Sequence, residues 1–319
     1  MSMNRVHSLD YLRIVLAVGV VFAHAALMSG YRAPLALMIG NGMLNLIIPL
    51  FSVLSGFCLY LTHEHGKARK WLGALIVVYL LWSAFYAPVW IRQGDVSIRM
   101  IMGYAHLWYV AWLIIDGALM FLLIGLGRRT GTGLMPLVAL AVVLALLGTV
   151  NGYMHYWLNM GVEPEYLHRG VVVMFPYMVL GYVIGRRTWR RGRACWPEAR
   201  LLWPVALALL ALKMGEAYLR QDPGFSLLST EMPNLPLLEG GATLAIFLAL
   251  LRTDLPQPSV DLSYLSVMIY FLHMFVLLVM LYLGGRNVWI GTVAGIAVPV
   301  FVAVALRQIW GRFSRTSPG

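Results

Sequence analysis

The sequence predicts an all-α, polytopic membrane protein with about ten transmembrane helices and both termini in the cytoplasm. Three observations carry that expectation. Of 319 residues, 61% are hydrophobic and only 12% are charged, about half the charged share of a soluble domain. Several apolar runs approach the roughly 20 residues that a helix needs to cross a hydrocarbon core of about 30 Å. The alternating strands of an outer-membrane barrel, each about ten residues long, are absent.

Apolar length and periodicity place the spans, in order, at about 9–28, 43–62, 71–91, 105–127, 133–151, 169–185, 201–219, 234–251, 262–283 and 287–310. With the N-terminus in the cytoplasm, the inner segments hold sixteen basic residues. These are Arg5; Lys67, Arg69 and Lys70; Arg128 and Arg129; Arg186, Arg187, Arg190, Arg191, Arg193 and Arg200; Arg252; and Arg307, Arg312 and Arg315. The outer segments hold six: Arg32, Arg92, Arg99, Arg169, Arg220 and Arg286. Lys and Arg collect on the cytoplasmic side of membrane proteins, so this asymmetry sets the orientation. It also accounts for the net charge of +11 without a nucleic-acid partner. The longest outer segment, about 152–168, carries Glu163 and Glu165, and 220–233 carries Asp222 and Glu231. No loop is long enough for a second domain, so residues 1–319 are expected to form a single membrane domain. Cys58 lies in an apolar run and Cys195 in a basic loop, which argues against a structural disulfide.

The first span poses a rival reading. Arg5, the run "IVLAVGVVF" and the small-x-small "AHA" at 23–25 also fit a cleaved signal peptide. Asp10 and Arg13 sit awkwardly against it. Removal would also leave nine spans and put the termini on opposite sides.

The same span holds the ionisable constellation. Arg13 and His24 are eleven residues apart, which on a helix is about 1100° of turn and about 16 Å of rise. They share one face, with Arg13 near the inner surface and His24 past the midplane. Asp10, three residues before Arg13, can pair with it. Ionisable groups within spans are usually functional.

The stretch "RVHSLDYLRIVLAVGVVFAH" (5–24) closely resembles the opening of the acyltransferase 3 family, whose hallmark is an Arg, ten residues, then a His in the first span. "PLFSVLSGFCLY" (49–60) resembles the family's second span and "YLLWSAFY" (79–86) its third. "HLWYV" (106–110) resembles its His-Leu-Trp motif, and "PYMVLGYVIGRR" (176–187) and "IYFLH" (269–273) fit as well. The matches run in order along nearly the whole chain. Two departures stand out. The start of the third span has Lys67, Arg69 and Lys70 but lacks the Pro that often follows them in the family. No hydrolase-like domain follows the spans, so the protein is expected to act as a stand-alone form.

The resemblance implies transfer of an acyl group, usually acetyl from acetyl-CoA, to a sugar hydroxyl of an extracytoplasmic or lipid-linked glycan. It implies no permanently bound cofactor and no metal, with acetyl-CoA or another acyl-CoA as co-substrate. The expected partners are the glycan or glycolipid acceptor and the lipid bilayer, with polysaccharide-assembly proteins as candidates. The expected location is the bacterial cytoplasmic (inner) membrane. Arg13, Arg69 and Lys70 become candidates for the donor's phosphates. His24 becomes the candidate general base, since its ordinary pKa lies near operating pH. Supporting or acceptor-side candidates are Asp10, Ser55, His106, Trp108, Glu239 and His273. Ser55-Gly56 reads first as a close helix contact. His63 and His65, beside the basic inner loop, read as solvated. Asp116, deep in the fourth span, needs a partner that the sequence does not name. The competing class is a transporter or flippase of a glycan or lipid intermediate, which the absence of inverted repeats disfavours.

Overall fold

The computed structural model describes residues 5–31, 39–93, 102–158, 170–219 and 236–316. Among these residues, a long helix stands wherever an apolar run predicts one. They are α1 (His7–Ser29), α2 (Ile47–Glu64), α3 (Ala68–Trp90), α4 (Trp108–Arg129), α5 (Met135–Leu158), α6 (Val171–Arg191), α7 (Ala199–Leu219), α8 (Pro236–Arg252), α9 (Leu262–Tyr282) and α10 (Val288–Thr316). The described residues contain no strand. Eight of these helices are long and apolar enough to cross a membrane, and α6 and α8 fall outside that set. The last turns of α6 carry Arg186, Arg187, Arg190 and Arg191, which shortens its apolar part, and α8 has only 17 residues. The outer segments with Glu163 and Glu165, and with Asp222 and Glu231, lie outside the described residues.

The helix ends follow local chemistry. Gly30, at φ 66°, takes the left-handed conformation that closes α1, and Tyr31 N–H donates to the Ala26 carbonyl at 3.1 Å. Asp261 caps α9 by accepting from the Tyr264 N–H at 3.2 Å. Asn287 caps α10 by accepting from the Trp289 and Ile290 N–H groups at 2.9 and 3.1 Å.

The chain forms two compact units. One contains α1, α9 and α10, which pack mutually. Ala17, Val21 and Ile269 form one buried cluster there, and Ala25, Ala26, Leu277 and Val288 form another. Gly291 and Gly295, one turn apart on α10, allow the close approach. A Cβ at 295 would meet Val21 Cγ1 at 2.7 Å, and one at 291 would meet Leu277 at 3.3 Å and Ala25 at 3.4 Å. The first helix is therefore packed closely against α9 and α10.

The other unit contains α2 to α6, α7 as far as Lys213, and α8. Its core gathers Leu59, Tyr60, Met120, Phe175, Met178 and Tyr182. Glycines bring α2 and α6 into backbone contact. A Cβ on Gly56 would overlap the Met178 carbonyl, and one on Gly181 would overlap the Val53 carbonyl. The expected helix contact at Ser55-Gly56 is thus present. Gly181→Ala should cost about 1–3 kcal/mol, because backbone rather than a flexible side chain must give way. A drop in the thermal midpoint of the detergent-purified protein reads this out, and an unchanged midpoint would mean that the contact opens freely. Val77, Leu80 and Leu81 on α3 and Leu146 and Leu147 on α5 are exposed, as expected of faces that meet acyl chains rather than water.

Candidate functional site

The unit of α1, α9 and α10 builds two polar centres on α1. The first surrounds Asp10, which is 2% exposed. Arg13 Nη1 donates to Asp10 Oδ1 at 2.7 Å and to Ser263 Oγ at 2.9 Å. Ser263 in turn donates to Asp10 Oδ1 at 2.8 Å, and Arg5 Nε donates to Asp10 Oδ2 at 2.8 Å. Both carboxylate oxygens are thereby held, as a buried charge requires. The hydrogen bond to Asp10 raises the Arg5 pKa, so Arg5 stays charged. The pairing of Asp10 with Arg13 expected from their spacing is present. Ser263 and Arg5 are additions that the local pattern did not reveal. The carboxylate ties the start of α1 to the first turn of α9.

The second centre is a histidine pair. His24 Nδ1 lies 3.0 Å from the Val20 carbonyl and 3.2 Å from Nε2 of His273. The two rings are 5.1 Å apart between centroids and tilted by 41°. His273 is fully buried, with its Nδ1 3.0 Å from the Ile269 carbonyl, whereas His24 is half-buried. Of the candidates read from the sequence, Arg13 with Asp10 and His24 with His273 are the groups brought into contact.

The remaining candidates belong to the other unit. Arg69 and Lys70 stand exposed in the first turn of α3. Ser55 Oγ is 3.3 Å from the Tyr109 hydroxyl. His106, 2% exposed, sits in the short 3₁₀ turn before α4, its ring nearly perpendicular to that of Tyr86 with centroids 5.3 Å apart. The preceding residue, Ala105, has φ 46°, a left-handed conformation that costs a non-glycine residue about 1–3 kcal/mol. Trp108, the first residue of α4, packs against the core of that unit. Glu239, 8% exposed, accepts from the Tyr177 hydroxyl at 3.2 Å. Asp116 is fully buried, and neither oxygen has a hydrogen-bond partner among the described residues.

One reading needs correction. His63 is not a solvated loop residue: its Nδ1 is 2.9 Å from the Tyr182 hydroxyl, and Arg128 Nη2 donates to its Nε2 at 3.0 Å. It is the last turn of α2, not the basic loop, that carries it, and the ring turns toward α4 and α6. His65 is exposed, its ring steeply inclined to that of Trp189 with centroids 5.5 Å apart. Two features went unread in the sequence. The Gly291–Gly295 spacing, which admits α10 against the helices carrying the histidine pair, was legible as a small-xxx-small pattern. Ser263 carried no local signal beyond its place after the cap of α9. Among the described residues, no three His, Cys, Asp or Glu side chains converge as a metal site.

Helices of this length and apolarity define a multi-pass membrane protein, and its first and ninth helices carry a histidine pair and a clasped arginine. Comparison with protein families matches residues 6–308 to the acyltransferase domain of the acyltransferase 3 family. The chain belongs to that family and is a membrane acyltransferase. No curated protein and no solved structure matches it.

Proposed function

We propose that the protein moves an acetyl group from cytoplasmic acetyl-CoA to a hydroxyl of an extracytoplasmic or lipid-linked glycan, as an O-acetyltransferase of the bacterial inner membrane. In this reading all ten helices span and both termini are cytoplasmic. The surplus of basic residues in the inner segments supports that orientation. The observation that carries the reading is the half-buried His24, held by His273 on the α1 face that also bears Arg13.

Arg13 binds a phosphate of CoA by charge-assisted hydrogen bonds, and Arg69 and Lys70 are the further donor-side candidates read from the sequence. The pantetheine arm runs outward along α1 and brings the thioester to His24. A sugar hydroxyl is un-ionised at neutral pH, so His24 takes its proton as the oxygen attacks the thioester carbonyl. The C–O bond forms, the C–S bond breaks, and the His24 imidazolium returns the proton to the departing CoA thiolate. Asp10 and His273 position Arg13 and His24. Ser55, His106, Trp108 and Glu239 are the acceptor-side candidates.

Membrane vesicles test chemistry and sidedness together. Inverted vesicles should incorporate label from acetyl-CoA labelled in the acetyl group, and mild alkali should release it, as it does an ester. Right-side-out vesicles should incorporate none until made permeable. Equal labelling of both would overturn the orientation. The absence of alkali-labile label from inverted vesicles charged with membrane glycolipids would overturn the acetyl-transfer reading.

A further inference from the structure

The backbone carbonyls around the histidine pair decide where its protons sit. A carbonyl oxygen can only accept, so Nδ1 of His273, 3.0 Å from the Ile269 carbonyl, must carry a hydrogen. In the neutral ring this leaves Nε2 of His273 as an acceptor. His24 Nδ1 faces that nitrogen at 3.2 Å and the Val20 carbonyl at 3.0 Å. Both neighbours present lone pairs, so His24 Nδ1 must be the protonated nitrogen and donates to them.

We infer that His273 is a positioning residue: it fixes His24 in the Nδ1–H tautomer and so leaves Nε2 of His24 as the one basic nitrogen available to an acceptor hydroxyl. The catalytic half of this inference rests on the acyltransfer reading above, but the proton assignment does not. His273 suits the task because it is fully buried and cannot turn toward water for another partner. Gly295 contributes as well: α10 presses on both imidazole-bearing helices there, with its would-be Cβ 2.7 Å from Val21 Cγ1 and 3.8 Å from His273 Cβ. When His24 Nε2 takes a proton from the hydroxyl, its Nδ1–H bond to His273 becomes charge-assisted and about twice as strong. The gain arises mainly as the transition state is reached, so it raises kcat rather than tightening donor binding.

Two measurements test this. In protein labelled with nitrogen-15 histidine, with His24 and His273 signals assigned from His24→Asn and His273→Gln variants, both rings should show a protonated Nδ1 and an unprotonated Nε2. A His24 ring protonated at Nε2 overturns the proposal whether or not the protein transfers acetyl groups. In the vesicle assay, His273→Ala should lower kcat about ten- to hundred-fold, the range for losing a hydrogen bond to a charged group, with the KM for acetyl-CoA nearly unchanged. His273→Gln places an amide oxygen near the lost Nε2 and should recover most of the rate. Unchanged kcat in His273→Ala, or a raised KM at unchanged kcat, overturns the positioning role. A folded but inactive wild type would instead remove the acyltransfer reading, leaving the nitrogen spectra to decide the tautomer.

Discussion

His24→Ala is expected to lower acetyl transfer by roughly 10²–10⁴-fold, the range for removing a general base, while the protein still inserts, folds and binds acetyl-CoA. The structure supplies a sharper control than alanine. The side-chain amide of His24→Asn reaches the position of the imidazole Nδ1, so it can still donate to the Val20 carbonyl and to His273. It has no basic nitrogen to accept the acceptor's proton. His24→Asn should therefore keep the thermal midpoint close to that of the wild type and yet be almost as inactive as alanine. His24→Gln, which fills the Nε2 side of the ring, should be inactive too. Transfer assays paired with midpoints in detergent read out both properties. An active, normally folded His24→Asn enzyme would move the proton-accepting role elsewhere, with His106 the next residue to test.

Arg13→Ala should raise the KM for acetyl-CoA by about ten- to hundred-fold, the equivalent of one hydrogen bond between charged groups. Arg13→Lys should recover only part of this, because a point charge replaces a planar fork. The clasp around Asp10 complicates the result, since Arg13 Nη1 serves both Asp10 and Ser263. Losing it leaves the buried carboxylate to Arg5 and Ser263 and should also lower stability. Ser263→Ala separates the two effects. It loosens the same clasp but removes no charge, so it should reproduce the fall in thermal midpoint without the rise in KM. If Arg13→Ala folds and binds acetyl-CoA as the wild type does, Arg13 belongs to the clasp alone.

Much of the architecture was legible in one dimension because its causes are local. Apolar length and period mark a helix wherever backbone groups must be satisfied internally, and each predicted span has its helix. The face shared by Arg13 and His24 and the pairing of Asp10 with Arg13 follow from helical repeat alone. The family also shows in local motifs, since the order of short patterns is itself a sequence property.

The contacts that define the candidate site are of another kind. His273 meets His24 across 249 positions, and Ser263 meets Arg13 across 250. His63, read as solvated from its basic neighbours, is claimed by Tyr182, 119 positions away. Which side chains touch across helices depends on how each helix is rotated and how closely its neighbour approaches. That approach is set by residues far along the chain, such as Gly295 against Val21 and Gly181 against Val53. A period read along one helix carries no information about the rotation of another. The sequence by itself therefore determined the helices and the Arg13–His24 face, and only the tertiary structure decided that His24 has a histidine partner and Asp10 a three-sided clasp.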